Sequence, residues 1–168
     1  MSLLERLLRI GFPSSNWQED AYRRLELDLS AETLCGVPLG AEMDALSFLG
    51  VAEDRRLAHQ GTLVYFRRGL VVTIRRARTA GYTAVFEPPG EGDPDYIQPF
   101  AGVVFSGARV LGLSGSATEE AVTSLFGVPQ ERKLYEEGSE LGYERGDTVM
   151  DVKLNPEGRL ASLYLGLA

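Results

Sequence analysis

The chain has 168 residues, 44% of them apolar and 24% charged. It is long enough to bury a sizeable core, and its composition excludes wholesale disorder. Its net charge of −7 repels phosphate backbones and sets general nucleic-acid binding aside, and its single cysteine, Cys35, excludes an internal disulfide and a multi-thiolate zinc site and points to the cytoplasm.

Charge is uneven along the chain. Residues 1–84 hold 11 arginines against 10 acidic residues, whereas residues 85–168 hold 6 basic residues against 14 acidic ones. Residues 2–10 place apolar side chains at helical spacing between charges. That stretch is too short and too interrupted to span a bilayer, lacks the features of a secretory signal, and predicts a short packed helix. After the loop 11–15, residues 24–29 alternate at period two and predict a strand. Ala41 to Leu49 predicts a short helix closed by Gly50 in a left-handed cap. Leu57 to Phe66 and Leu70 to Ile74 follow as strands joined tightly at Arg67-Arg68-Gly69, and Tyr82 to Phe86 as another. Residues 88–94, Pro-Pro-Gly-Glu-Gly-Asp-Pro, are the strongest breaker in the chain. Beyond it, strands are expected at 100–104 and 110–113. A helix at 117–126 is capped by Ser116 or Thr118 and ended by Gly127, and strands follow at 141–145, 148–154 and 159–165. The last two are joined by Asn155-Pro156-Glu157-Gly158, a turn with proline set for the bend and glycine for positive φ.

Gly50 and Gly127, 77 residues apart, end similar segments. At that offset Leu34 falls on Leu111, Glu42 on Glu119, Ala45 on Val122, Leu57 on Leu134, Val64 on Leu141 and Phe66 on Tyr143. Self-similarity at a fixed period speaks to architecture. It predicts an α+β fold of two tandem helix-plus-antiparallel-strand repeats forming a sheet with helices on one face. The organisation expected is an N-terminal helix and loop over 1–21, repeat one over 22–87, a linker over 88–99 and repeat two over 100–168. A helix ending in Leu125-Phe126-Gly127-Val128-Pro129, followed by a hairpin and a closing strand, resembles the repeat of the β-lactamase inhibitor protein and the small lipoprotein domain of the outer-membrane barrel assembly machinery. The resemblance implies helices packed on one face of a sheet whose exposed face and loops bind other proteins. It carries no specific binding residues onto this chain, which also lacks the lipid-bearing cysteine of the lipoprotein and the disulfides of the inhibitor.

Alternation sorts the faces. Val64, Phe66, Leu70, Val72 and Ile74, with Leu141, Tyr143, Met150, Val152 and Leu154, are expected to face the helices. Leu63, Tyr65, Arg67, Val71, Thr73 and Arg75, with Glu140, Glu144, Val149, Asp151 and Lys153, are expected on the open face. Catalytic signals are absent from the pattern. His59 has no nucleophile selected for it, Cys35 has no basic neighbour to activate it, and Glu91, Asp93 and Asp95 lack the closing carboxylate of a calcium loop. The glycines at 112 and 115 precede Glu119 and Glu120, which would repel an anion. No catalytic residue, cofactor or metal is expected. Arginine with tyrosine is interface composition, so the function expected is a non-catalytic protein-binding module, sharpest as an inhibitor or immunity-type protein. Its partner would dock on Tyr65, Arg67, Thr73, Arg75, Glu144 and Asp151. The alternatives are a small-ligand-binding or enzymatic domain, with a pocket between the open face and the Pro88 to Pro94 loop, and a homodimer through a sheet edge. Membrane and nucleic-acid partners are not expected.

Overall fold

The computed structural model describes residues 14–87 and 97–168, so the expected helix at 2–10 and the breaker at 88–94 lie outside the described residues. In chain order the elements are β1 (Leu25–Asp28), β2 (Thr33–Leu34), β3 (Val37–Pro38), a 3₁₀ helix (Met43–Leu49), α1 (Arg55–His59), β4 (Thr62–Tyr65), a 3₁₀ turn (Phe66–Arg68), β5 (Leu70–Arg75) and β6 (Arg78–Val85). The second half supplies β7 (Gly102–Ser106), β8 (Arg109–Leu111), α2 (Glu119–Phe126), β9 (Glu131–Tyr135), β10 (Gly138–Arg145), β11 (Thr148–Leu154) and β12 (Leu160–Leu167).

These strands form a five-stranded sheet, ordered β3-β2-β1-β7-β8, and a seven-stranded sheet, ordered β4-β5-β6-β12-β11-β10-β9. The pairing is antiparallel except between β1 and β7. With 45% of the described residues in strands and 16% in helices, the expected α+β arrangement of one sheet covered by helices is corrected. A second sheet contributes Leu25, Leu27, Leu34, Val104 and Leu111 to the same core that buries Leu70, Leu141 and Leu163, covering the face where helices are expected from the sequence. The helix-on-sheet plan implied by the inhibitor and lipoprotein resemblance is corrected with it.

The two halves of the chain meet in both sheets. β1 lies beside β7 with Leu25 opposite Gly102 and Leu27 opposite Val104, and β6 lies beside β12 with Val85 opposite Ser162; each of these pairs spans 77 positions. Glycine makes the element ends. Gly50 (φ 79°, ψ −167°) and Gly127 (φ 86°, ψ −165°) sit in a region that only glycine enters readily, not in the left-handed helical region expected. The segment before Gly50 winds as 3₁₀ helix without a side-chain cap. By contrast, Thr118 caps α2, its Oγ1 accepting from the Ala121 amide at 3.3 Å.

The structure departs from the sequence pattern in further details. Residues 57–61 are not strand: Asp54 caps α1 by accepting from the Leu57 amide at 2.9 Å, and the helix runs to His59. Strand β9, every residue of which is exposed, had no apolar alternation to announce it. Leu125 and Phe126 are half-buried, and it is Val122 that α2 buries completely. The β4 faces are also inverted. A three-residue connection would set Phe66 opposite Leu70 and keep even positions together. The connection is instead four residues long, Tyr65 pairs with Leu70 and Leu63 with Val72, and odd positions of β4 share the inner face with even positions of β5. Leu63 and Tyr65 are therefore core, at 0% and 3% exposure.

Candidate functional site

Directly opposed residues in antiparallel strands share a face, so the registers trace the outer face of the seven-stranded sheet row by row. The central row runs Val71, Thr83, Tyr164, Asp151, Gly142, Glu131. On one side of it lie Thr73, Gly81, Gly166, Val149 and Glu144; on the other, Ser162, Lys153, Glu140 and Lys133. The inner row, Leu70, Ala84, Leu163, Val152 and Leu141, is buried throughout. Alternation thus gives one apolar and one mixed polar face from the same strands.

Tyr164 organises the outer face. A Cβ at Gly81 or at Gly166 would overlap its ring, so the phenol lies across the two glycines on neighbouring strands and covers backbone that no side chain of their own could cover. Burial pushes its hydroxyl above the usual tyrosine range, with Arg75 pulling it down and Asp151, directly opposite on β11, pushing it up. Burial also raises the Asp151 carboxyl, Glu140 adding to it while Lys133 and Lys153 oppose. Glu140, only 17% exposed, stands 3.8 Å from the ammonium groups of both Lys133 and Lys153, and Lys133 also reaches Glu131 at 2.9 Å. At the β9–β10 end this lattice of charge borders a cleft of about 380 Å³ lined by Tyr135, Glu137, Ser139, Glu140 and Lys153 over Leu154 and Ala161.

Of the residues expected to bind a partner, Thr73, Glu144 and Asp151 share this face and Arg75 stands at its rim near Tyr164. Two do not. Tyr65 points inward, its hydroxyl donating to the Gly50 carbonyl at 3.2 Å, and burial pushes that hydroxyl far up. Arg67 belongs to the 3₁₀ turn, its side chain 90% exposed and its Nε 3.9 Å from Glu53. Tyr164 itself was missed. The signal was Leu163-Tyr164-Leu165, in which two inward leucines force the tyrosine outward, but nothing local marks Gly81 as the residue that comes to lie under its ring with Gly166.

Elsewhere, Cys35 is half-buried at a positive φ of 51°, its Sγ 3.4 Å from the Glu26 amide. His59 is exposed on α1. Glu91, Asp93 and Asp95 lie outside the described residues, among which no group of three metal-ligating side chains converges. The outer face presents an aromatic surface, both signs of charge, and hydroxyls from Thr73, Thr83 and Ser162.

No protein-family model matches the chain, and no curated protein matches it in sequence. Among solved structures it is similar to a DUF4309 family protein (YjgB) from Bacillus subtilis, with a TM-score of 0.49 and 9% identity over 99% of this chain and 96% of that one.

Proposed function

We propose that the chain is a non-catalytic protein-binding module that docks a partner protein on the outer face of the seven-stranded sheet, around Tyr164, Asp151 and Arg75. The observation that carries this reading is the Tyr164 ring held over Gly81 and Gly166 and directly opposite Asp151. A rigid aromatic flanked by arginine is the composition that concentrates binding energy at a patch centre. Thr73, Glu144 and the Glu140 lattice supply the polar rim. The sharpest form is an inhibitor or immunity-type protein acting in the cytoplasm, where a chain with a single cysteine needs no oxidising environment.

The test is a photo-crosslinking amino acid placed at Thr83 in the outer face and, as a control, at Ser124 on α2. The reading expects one protein crosslinked from Thr83 and not from Ser124. It also expects Tyr164→Ala or Arg75→Glu to weaken that purified complex by about 2 kcal/mol, roughly 30-fold. Equal crosslinking from both positions, or unchanged affinity, contradicts it.

A further inference from the structure

The two ends of the seven-stranded sheet are finished differently. At the β4 end the Val64 carbonyl is taken by the Glu53 amide at 2.9 Å and α1 precedes the strand directly. At the other end, among the described residues, β9 pairs only with β10, all five of its residues are exposed, and Leu134 and Tyr135 present 74% and 55% of their surface to solvent. An edge of this kind is a template for another strand. We propose that it is taken by β9 of a second copy of this chain, antiparallel about a two-fold axis centred on Leu134.

The sequence at the edge is complementary to itself in that register. Arg132-Lys133-Leu134-Tyr135-Glu136, set against its own reverse, puts Leu134 opposite Leu134, Lys133 opposite Tyr135 and Arg132 opposite Glu136, which are an apolar pair, a cation beside an aromatic and an ion pair. Centring on Lys133 instead would oppose two lysines, so charge selects the register. A lysine in an edge strand usually discourages pairing, but here the Lys133 ammonium is held 2.9 Å from Glu131 and 3.8 Å from Glu140 on its own sheet, which offsets part of its charge where it meets Tyr135. The like-charged juxtaposition, Glu131 with Glu137 of the second copy, falls at the hairpin turn where the strands part. Five residues a side make a small interface, so the dimer is reversible and concentration-dependent rather than permanent.

The test is sedimentation velocity on the full chain over a rising concentration series. Wild type moves from monomer to dimer as concentration rises. Leu134→Asp and Glu136→Arg, both at exposed positions, stay monomeric throughout with unchanged melting temperature. Arg132→Glu alone also stays monomeric, because it opposes two carboxylates, but its equimolar mixture with Glu136→Arg restores the dimer, since the altered charges then face their opposites. Arg75→Glu, on the outer face, leaves the dimer intact, so failure here is separable from failure of the binding reading. A wild type that is monomeric at every concentration, a dimer that survives Leu134→Asp and Glu136→Arg, or a mixture that stays monomeric overturns the proposal.

Discussion

Two segments 77 residues apart begin almost alike and fold differently. Asp54-Arg55-Arg56-Leu57-Ala58-His59-Gln60-Gly61 is helix, whereas Glu131-Arg132-Lys133-Leu134-Tyr135-Glu136-Glu137-Gly138 is an edge strand and its turn. The short aspartate side chain can turn back onto the Leu57 amide and start a helix. The longer Glu131 instead spans two positions along a strand to reach Lys133. Ala58 favours helix and is buried at 1% exposure, while Tyr135 favours strand and is 55% exposed. Two substitutions' worth of local preference thus decide whether an end of the large sheet carries a helix or lies open, and this is where the two halves diverge most.

The largest expected effect tests what the segments share. Both end in a glycine at positive φ, and a Cβ there would run into a backbone carbonyl, that of Ile74 at Gly61 and that of Leu154 at Gly138. Gly61→Ala and Gly138→Ala should each cost at least the roughly 1–3 kcal/mol of backbone strain, read by denaturant unfolding. A cheap substitution at either would mean that the two junctions are not alike. Next, Ala58→Tyr should overpack the core by about 1–3 kcal/mol, while Tyr135→Ala should stay within about 0.5 kcal/mol; equal costs would erase the contrast between sealed and open ends. Asp54→Ala should then cost about 1 kcal/mol as a lost cap, with the far-ultraviolet helical signal falling, and Glu131→Ala should leave that signal alone.

The smallest effect concerns pH and belongs to the second half, because the β4–β5 register puts Val71 where the β10–β11 register puts Asp151. Burial holds the Asp151 carboxyl above its ordinary value of 3.8, so the folded chain binds that proton more tightly than the unfolded one. The resulting penalty is absent below the ordinary value, grows as pH rises through it towards the raised one, and is complete at neutrality. Asp151→Asn should therefore raise the melting midpoint at neutral pH, and the gain should vanish on acidification below the ordinary aspartate range.

Local punctuation was legible in the sequence. The 155–158 turn closes as read, with the Gly158 amide bonded to the Asn155 carbonyl at 2.9 Å and Gly158 at φ 74°, and α2 starts at Thr118 and stops at Gly127. Long-range choices were not legible. Nothing local marks β1 for parallel pairing with β7, and so the second sheet was taken for helical cover. The inward turn of Tyr65 depended on one residue of loop length at 66–69, which composition does not encode. Of the outer face, the side of β11 and β10 holding Asp151 and Glu144 was readable by alternation. Tyr164 became central only when Gly81 and Gly166, from opposite halves of the chain, were brought beneath it.

The contrast between a sealed and an open end of one sheet is tested most directly by hydrogen exchange, resolved by residue and repeated over a concentration series. Amides of Arg55 to Gln60 should exchange at rates independent of concentration. The outward-facing amides of Glu131 to Tyr135 should exchange quickly in dilute solution and slow as concentration rises. Rates in both segments that are insensitive to concentration, or a helical pattern of protection across Glu131 to Tyr135, would contradict the account.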